Sequence, residues 1–376
     1  MIVVMEPIAA LLGVLLVMLV VWDLFETIVV PRPTPGRLRI GRYVIRSSWR
    51  LFRAIGRRPD GATRDTLLGL FAPAATLVLL AVWLAGMIVG YGLILYALSD
   101  QLSPRPHEIG TAFYFAASSI LTLGFGDVVA TGPLARAVVV VAAASGLGVV
   151  ALVVTFLFSL YGSYQRREVH VVTLQAAAGA PPSAVALLEV YAQLDMTDRL
   201  PELFADWERW AAEVLDTHVA YPLLGFFRSS HDNLSWISAL GTVLDAACLV
   251  LTTTTGLAHG EAELFRRVGS HLVEDITNLG FRSGVVSRGD VPRPRNLDRA
   301  AFDEACVRLT RAGYELQPPD RAWAEFETAR AAYAGRLEAM AAYWATPTNS
   351  WLESEGSLTS PAHAPDEADR EGYAPS

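Results

Sequence analysis

Residues 67–98 run for 32 positions without a formal charge. About 20 apolar residues are enough to cross the hydrocarbon core of a bilayer as a helix, so this segment is long enough to span with some tilt. Two further runs share its character. Residues 8–30, IAALLGVLLVMLVVWDLFETIVV, hold only Asp23 and Glu26, and residues 133–164 hold only Arg136. Hydrophobic residues make up 52% of the 376-residue chain, which fits a membrane protein better than an ordinary soluble one. The first run follows MIVVMEP, which has neither a basic start nor a small-residue cleavage site, so a retained helix is expected rather than a signal peptide. Pro73 is expected to bend the first turns of the second.

Between the second and third runs lies GTAFYFAASSI, residues 110–120, preceded by Pro104 and Pro106. It is apolar and too short to cross. A short helix here must dip into the membrane and return, and its return path is SSILTLGFGDVV, residues 118–129. Irregular backbone at that depth survives only where protein surrounds it or where its polar atoms meet water or ions. Gly124 and Gly126 stand at alternate positions, where left-handed backbone suits a residue without a Cβ. Alternating hand would aim the carbonyls of Thr122, Leu123, Gly124 and Phe125 the same way. The Thr122 hydroxyl would close the inner end, Leu123 and Phe125 would wedge against the short helix, and Asp127 would emerge at the outer mouth. The C-terminal end of that helix, near Ser118 and Ser119, adds partial negative charge that favours a cation.

TLGFGD, residues 122–127, resembles the potassium-channel selectivity filter, whose usual form is T-V-G-Y-G-D. The resemblance covers residues 67–164 as outer helix (67–98), pore helix (109–120), filter (122–127) and inner helix (133–164). It implies a bacterial pore-loop channel with a two-helix pore module, no cofactor beyond the permeant potassium ion, and a homotetramer, since the family builds one pore from four such loops. Phe125 stands where Tyr is usual, Leu123 where Val is, and Leu121 where a Thr precedes the filter. FYFAAS lacks the Trp pair often seen in the pore helix. A glycine hinge is implied about this far past the filter; Gly146 and Gly148 are the candidates, and close helix packing is the competing role for such small residues. Phe156 and Phe158 are candidates for a hydrophobic constriction. A non-selective cation pore, and a membrane-anchored sensor or scaffold with a vestigial pore, are the alternatives.

All 30 basic residues are Arg, and ten of them lie in residues 31–66 against two acids. The positive-inside rule makes this loop cytoplasmic, the N-terminus external and the C-terminal part cytoplasmic, in a bacterial plasma membrane. Arg39, Arg42, Arg46, Arg50, Arg53 and Arg57 recur every three or four residues, as on one face of a helix lying on anionic lipid. A voltage-sensing helix would repeat Arg at every third position within a crossing segment, which this is not. Asp23 and Glu26 could pair with the stripe.

Residues 1–170 carry a net charge of +5 and residues 171–376 of −13, which argues against nucleic-acid binding. The expected fold is an all-α membrane protein: one transmembrane helix (1–30), an Arg-rich interfacial helix (31–66), the pore module (67–164), a helical cytoplasmic domain (165–345) and a disordered tail (346–376). Ser183 suits a helix start in PPSAVALLEV. Residues 236–251 are apolar almost all round but hold Asp245, which suggests a bundle core rather than a fourth span. No strand is followed by GxGxxG, so a Rossmann-type domain is disfavoured. Residues 221–240, YPLLGFFRSSHDNLSWISAL, resemble a segment behind the pore of some bacterial channel-like proteins. His218, Arg228, His231, Asp232 and Asn233 could form a ligand site, or a helix-end network with Asp232 or Asn233 as the cap. Cys248 and Cys306 show no metal or disulfide pattern. The chain contains no HExxH, GxSxG or P-loop, so nothing in it points to an enzyme.

Overall fold

The computed structural model describes residues 2–30, 40–56, 62–106, 108–229, 234–282 and 298–346. The chain is an all-α membrane protein. Helix α1 (Ile2–Leu24) ends in a π turn, and α2 (Ile40–Ile55), α3 (Ala62–Gly69), α4 (Phe71–Ala97), α5 (Ile109–Ile120) and α6 (Pro133–Ala178) follow. Three stretches are helical, long and apolar enough to cross a membrane: Glu6–Val29, Thr63–Ala97 and Pro133–Ala178. The second is interrupted at Leu70, between α3 and α4. Pro73 has no N–H to give the Gly69 carbonyl, which accounts for the break.

Helix α1 lies against α4 through small residues. A Cβ on Gly13 would sit 2.5 Å from the Gly90 carbonyl oxygen, so the two backbones approach as only glycine allows. At the end of this contact Asp23 is buried. It accepts from Trp83 Nε1 at 2.8 Å and from the Gly41 amide at 3.1 Å, and so holds α1, α4 and α2 together. The Arg stripe was one candidate partner for Asp23; a tryptophan indole and a backbone N–H satisfy the carboxylate instead.

The arms of the loop around α5 are joined by the two-residue strands β1 (Leu102–Ser103) and β2 (Val129–Ala130), which pair antiparallel. Gln101 secures the joint. Its carbonyl accepts from the Thr131 amide at 2.8 Å, and its Oε1 accepts from the Ala135 amide at the start of α6.

Helix α6 does not stop at residue 164, where the inner helix was expected to end. It runs unbroken to Ala178 and terminates at Gly179, whose φ of +82° needs a glycine. The charges of QRRE mark a change of surroundings, not of backbone conformation.

Beyond α6 the described chain is again helical: α7 (Ala184–Gln193), α8 (Leu200–Ala220), α9 (Trp236–Thr252), α10 (Gly260–Arg282), α11 (Arg299–Arg311), α12 (Pro319–Ala331) and α13 (Ala334–Trp344). Ser183 caps α7, as its place before an apolar run suggests. Ser235, not Asp232 or Asn233, caps α9 by accepting from the Ser238 amide at 3.0 Å; Asp232, Asn233 and His231 lie outside the described residues. Helix α9 is the centre of this region. Other helices cover every side of it, which is why it is apolar all round. Its one carboxylate, Asp245, is fully buried and accepts from Arg330 Nε at 3.1 Å and from the Tyr333 hydroxyl. Both cysteines are free and buried. Burial pushes the Cys248 thiol up to about 12 and the Cys306 thiol up to about 11, so neither is a nucleophile at neutral pH.

Candidate functional site

Helix α5 ends in a tight turn. The Leu121 amide donates to the Ala117 carbonyl, Thr122 to Ser119 at 3.1 Å, and Leu123 to Ser118 at 2.8 Å. From there the backbone alternates in hand. Thr122 has φ +56°, Gly124 +60° and Gly126 +78°, with Leu123 and Phe125 between them at negative φ. The two glycines fall where left-handed backbone was expected. Thr122 was not foreseen as the third such position, since a β-branched residue at positive φ is uncommon. The period of two seen at 124 and 126, carried back one step, is the signal that points to it.

Residues 121–127 are all exposed on the single chain, and a Cβ on Gly124 or Gly126 would meet nothing within 4 Å. Among the described residues, no group donates a hydrogen bond to the carbonyls of Thr122, Leu123, Gly124 or Phe125. An unpaired carbonyl at membrane depth costs several kcal/mol, so these oxygens call for a partner from outside the chain. No cluster of three metal-ligating side chains occurs among the described residues, and any cation held here would meet backbone oxygens.

The supports of this segment come from three helices. Phe125 stacks on Tyr114 of α5, with ring centroids 6.4 Å apart and planes 4° apart. Tyr114 thus steadies the aromatic residue of the segment; no spacing in the sequence marks it. Leu123, expected to wedge against α5 with Phe125, remains 55% exposed on the single chain. Helix α5 itself is seated between two glycines. A Cβ on Gly92 of α4 would lie 2.1 Å from Phe113 Cδ1, and a Cβ on Gly146 of α6 would lie 2.1 Å from the Ile120 carbonyl oxygen. Tyr91 and Ser145 share a 2.8 Å hydrogen bond between the outer and inner helices. Gly146 is therefore the place where α6 touches the last residue of α5. Gly148 has open space where a Cβ would stand.

Below this level the two phenylalanines separate. Phe156 is buried and meets Tyr221 edge-on at 5.7 Å, so it packs inside the chain and is withdrawn as a constriction candidate. Phe158 is 76% exposed.

The Arg helix, α2, is drawn toward the C-terminal region. Trp49 is buried with Phe71 and Phe226, at centroid distances of 4.9 and 5.0 Å. Arg53 Nη2 donates to the Ala342 carbonyl at 3.2 Å, and Arg46, Arg50 and Arg53 all lie near Tyr343. Arg53 was read as facing lipid, and its observed partner is α13. Arg39 and Arg57 lie outside the described residues.

The residues read as one polar cluster divide between two networks. Arg228 binds Asp65 at 2.6 Å and the carbonyls of Trp344 and Ala345. His218 belongs to the foot of α6. There the buried Arg167 donates to the Leu224 carbonyl at 3.0 Å, the Phe227 carbonyl at 2.8 Å and Glu168 Oε1 at 3.0 Å. Its Nη1 lies 3.2 Å from His218 Nε2, and His218 Nδ1 lies 2.8 Å from the Val214 carbonyl. One neutral tautomer satisfies both contacts: Nδ1–H donates to Val214 and Nε2 accepts from Arg167. Burial, then the Arg167 charge, pull the imidazole down to about 3. In an unfolded chain the same group titrates near ~6.5. Stability is therefore full above that value and declines as the pH falls toward 3, because only the unfolded chain takes up the proton. The expected slope is up to about 1.4 kcal/mol per pH unit. Thermal unfolding of the full chain at pH 7 and pH 5 checks this, with a markedly smaller loss expected in His218→Gln, whose amide can make the same two bonds.

Residues 77–162 match the family model described as Ion channel. That span begins within α4, contains α5 and the alternating segment, and ends within α6. This part of the chain is a pore-loop ion-channel module. No curated protein and no solved structure matches the chain. The match does not reach the helices beyond α6.

Proposed function

We propose that the chain is the subunit of a homotetrameric potassium-selective channel of a bacterial plasma membrane, conducting passively. Residues 122–127 form the filter. The carbonyls of Thr122, Leu123, Gly124 and Phe125 replace the ion's water, the Thr122 hydroxyl closes the inner end, and Asp127 sits at the outer mouth. The observation that carries this reading is the alternation of hand at Thr122, Gly124 and Gly126, with carbonyls that no described group of the chain satisfies. One loop supplies only a quarter of a ring, so four copies about an axis complete it. The Arg-rich loop supports an external N-terminus and a cytoplasmic helical C-terminal region. Phe158, on the open side of α6, is the residue that would narrow the inner mouth. Arg50, the exposed member of the Arg stripe among the described residues, stays available to anionic lipid.

Purified protein in liposomes tests the proposal. A thallium flux is expected, with a reversal potential in mixed potassium and sodium that follows potassium. Gly124→Ala should reduce the flux at least tenfold. Left-handed backbone costs a non-glycine residue roughly 1–2 kcal/mol, and four copies bear the cost together. Flux that ignores the difference between potassium and sodium would make the pore a non-selective one. An intact oligomer that passes no ion would make the chain a membrane-anchored scaffold.

A further inference from the structure

We infer that the foot of α6 is a second assembly surface, through which four copies pack as a parallel helical bundle beneath the pore. This rests on the tetrameric reading above and adds to it a contact that continues beyond the family-matched residues 77–162.

The argument begins with the two sides of α6. Leu160, Ser163, Arg167, Val171, Leu174 and Ala178 are buried inside the chain's own fold, and Val171 and Leu174 belong to the core built by the C-terminal helices. The other side carries Phe158, Gly162, Gln165, Val169, Val172 and Ala176. Among these, Phe158 and Val169 are 76% and 62% exposed, Gln165 and Ala176 are exposed, and Gly162 and Val172 are half-buried. Successive members are spaced four, three, four, three and four residues apart. That repeat keeps one seam facing a partner when helices wind around each other with a left-handed twist. No member of the seam is charged, although Arg166, Arg167 and Glu168 stand beside it in sequence.

Lipid does not cover this stretch. From Arg166 onward the helix is locked into the C-terminal core: Trp210 Nε1 donates to the Arg167 carbonyl at 3.1 Å, and Arg166 pairs with Glu213. An apolar seam continuing into that region calls for a protein partner. A second copy is the occupant, because the seam is continuous with the open side of α6 higher up. Val154 and Leu147, one and three turns above Phe158 on the same face, are 46% and 67% exposed. In the proposed pore that side meets the axis, and one unbroken helix carries the same face down to Ala176. The side chains suit close packing about an axis. Valine in successive layers disfavours a simple two-stranded coil, and Gln165 forms one polar layer that fixes register. Gly162 and Ala176 let the backbones approach.

Oxidative cross-linking in membranes of the full chain tests the surface. Cys248 and Cys306 are buried and stay in place as an internal control. Gln165→Cys, Val169→Cys and Val172→Cys, each alone, are expected to give disulfide-linked dimers as the main species under mild oxidant. Arg209→Cys, exposed on α8, is expected to remain monomeric on the gel. Val169→Asp combined with Val172→Asp should remove most of the oligomer that survives detergent dilution. Absence of cross-links at all three seam positions, in protein whose thallium flux still falls with Gly124→Ala, would overturn the bundle and leave the pore standing. Cross-links at the seam in protein that passes no ion would support the bundle and sink the pore. Equal cross-linking at Arg209→Cys would make the seam signal random collision and also overturn the inference.

Discussion

Liposomes carrying Gly146→Ala are expected to lose thallium flux down to the background of protein-free vesicles. The added Cβ would stand 2.1 Å from the Ile120 carbonyl oxygen and 2.8 Å from its carbon, and both are backbone atoms with no flexible side chain to swing aside. The end of α5 must move by more than an ångström, and Ile120 lies two residues before Thr122. Overpacking of this kind typically costs about 1–3 kcal/mol in one chain, and a four-copy pore bears it four times over. Gly148→Ala is the paired control. Open space surrounds that position, so it should keep flux within about twofold of the parent protein. The pair also separates two roles for Gly146. If it is a seat for α5, the Ala variant loses oligomer stability in detergent as well as flux. If it is only a hinge, the oligomer melts as before and the open fraction alone changes. Parent-like flux from Gly146→Ala would refute the seat.

Arg167→Met is expected to unfold the attachment of the C-terminal region to α6, lowering its thermal midpoint by roughly 10 °C. Four groups lose their donor or counter-charge at once: the Leu224 and Phe227 carbonyls, the Glu168 carboxylate and His218 Nε2. Removing one partner of a buried ion pair costs about 3–5 kcal/mol, chiefly because the other charge is left in a poor medium. Glu168 is the group left behind, and its Oε2 already has no hydrogen-bond partner. Arg167→Met combined with Glu168→Leu should recover part of the loss, since no charge then remains to be solvated. Thermal unfolding of the two variants decides the matter. A double variant no more stable than the single one would show that the ion pair is not what holds the junction. Limited proteolysis should locate the damage in residues 221–229, the stretch Arg167 holds.

Much of the membrane architecture was legible because hydropathy reports surroundings directly. The three apolar runs became helices long and apolar enough to span, and TLGFGD fell on a segment whose backbone alternates in hand. Asp245, read as a core residue, is buried at the centre of the C-terminal bundle. What escaped the sequence depends on contacts between distant residues. Tyr114 stacks on Phe125 only because the segment after α5 folds back along that helix. Gly92 looks like any small residue of a span until Phe113 is laid over it. Phe156 and Phe158 are two positions apart, and the direction of each was settled by where Tyr221 happens to pack. The length of α6 was misjudged for a different reason. QRRE carries the charge expected at a membrane edge, but arginine and glutamate are good helix formers, so the charges do not stop the helix.

The unbroken α6 also has a mechanical meaning. Between Gly146 and Ala178 it is a rod of about 48 Å, at ~1.5 Å per residue. A sideways displacement of about 4 Å at its foot corresponds to a tilt of only about 5° at the level of Ile120, over such a length. Whatever pushes on the C-terminal bundle therefore acts on a long lever arm: a large, inexpensive movement far from the ion path is geared down to a small adjustment beside it, and no messenger has to enter the membrane.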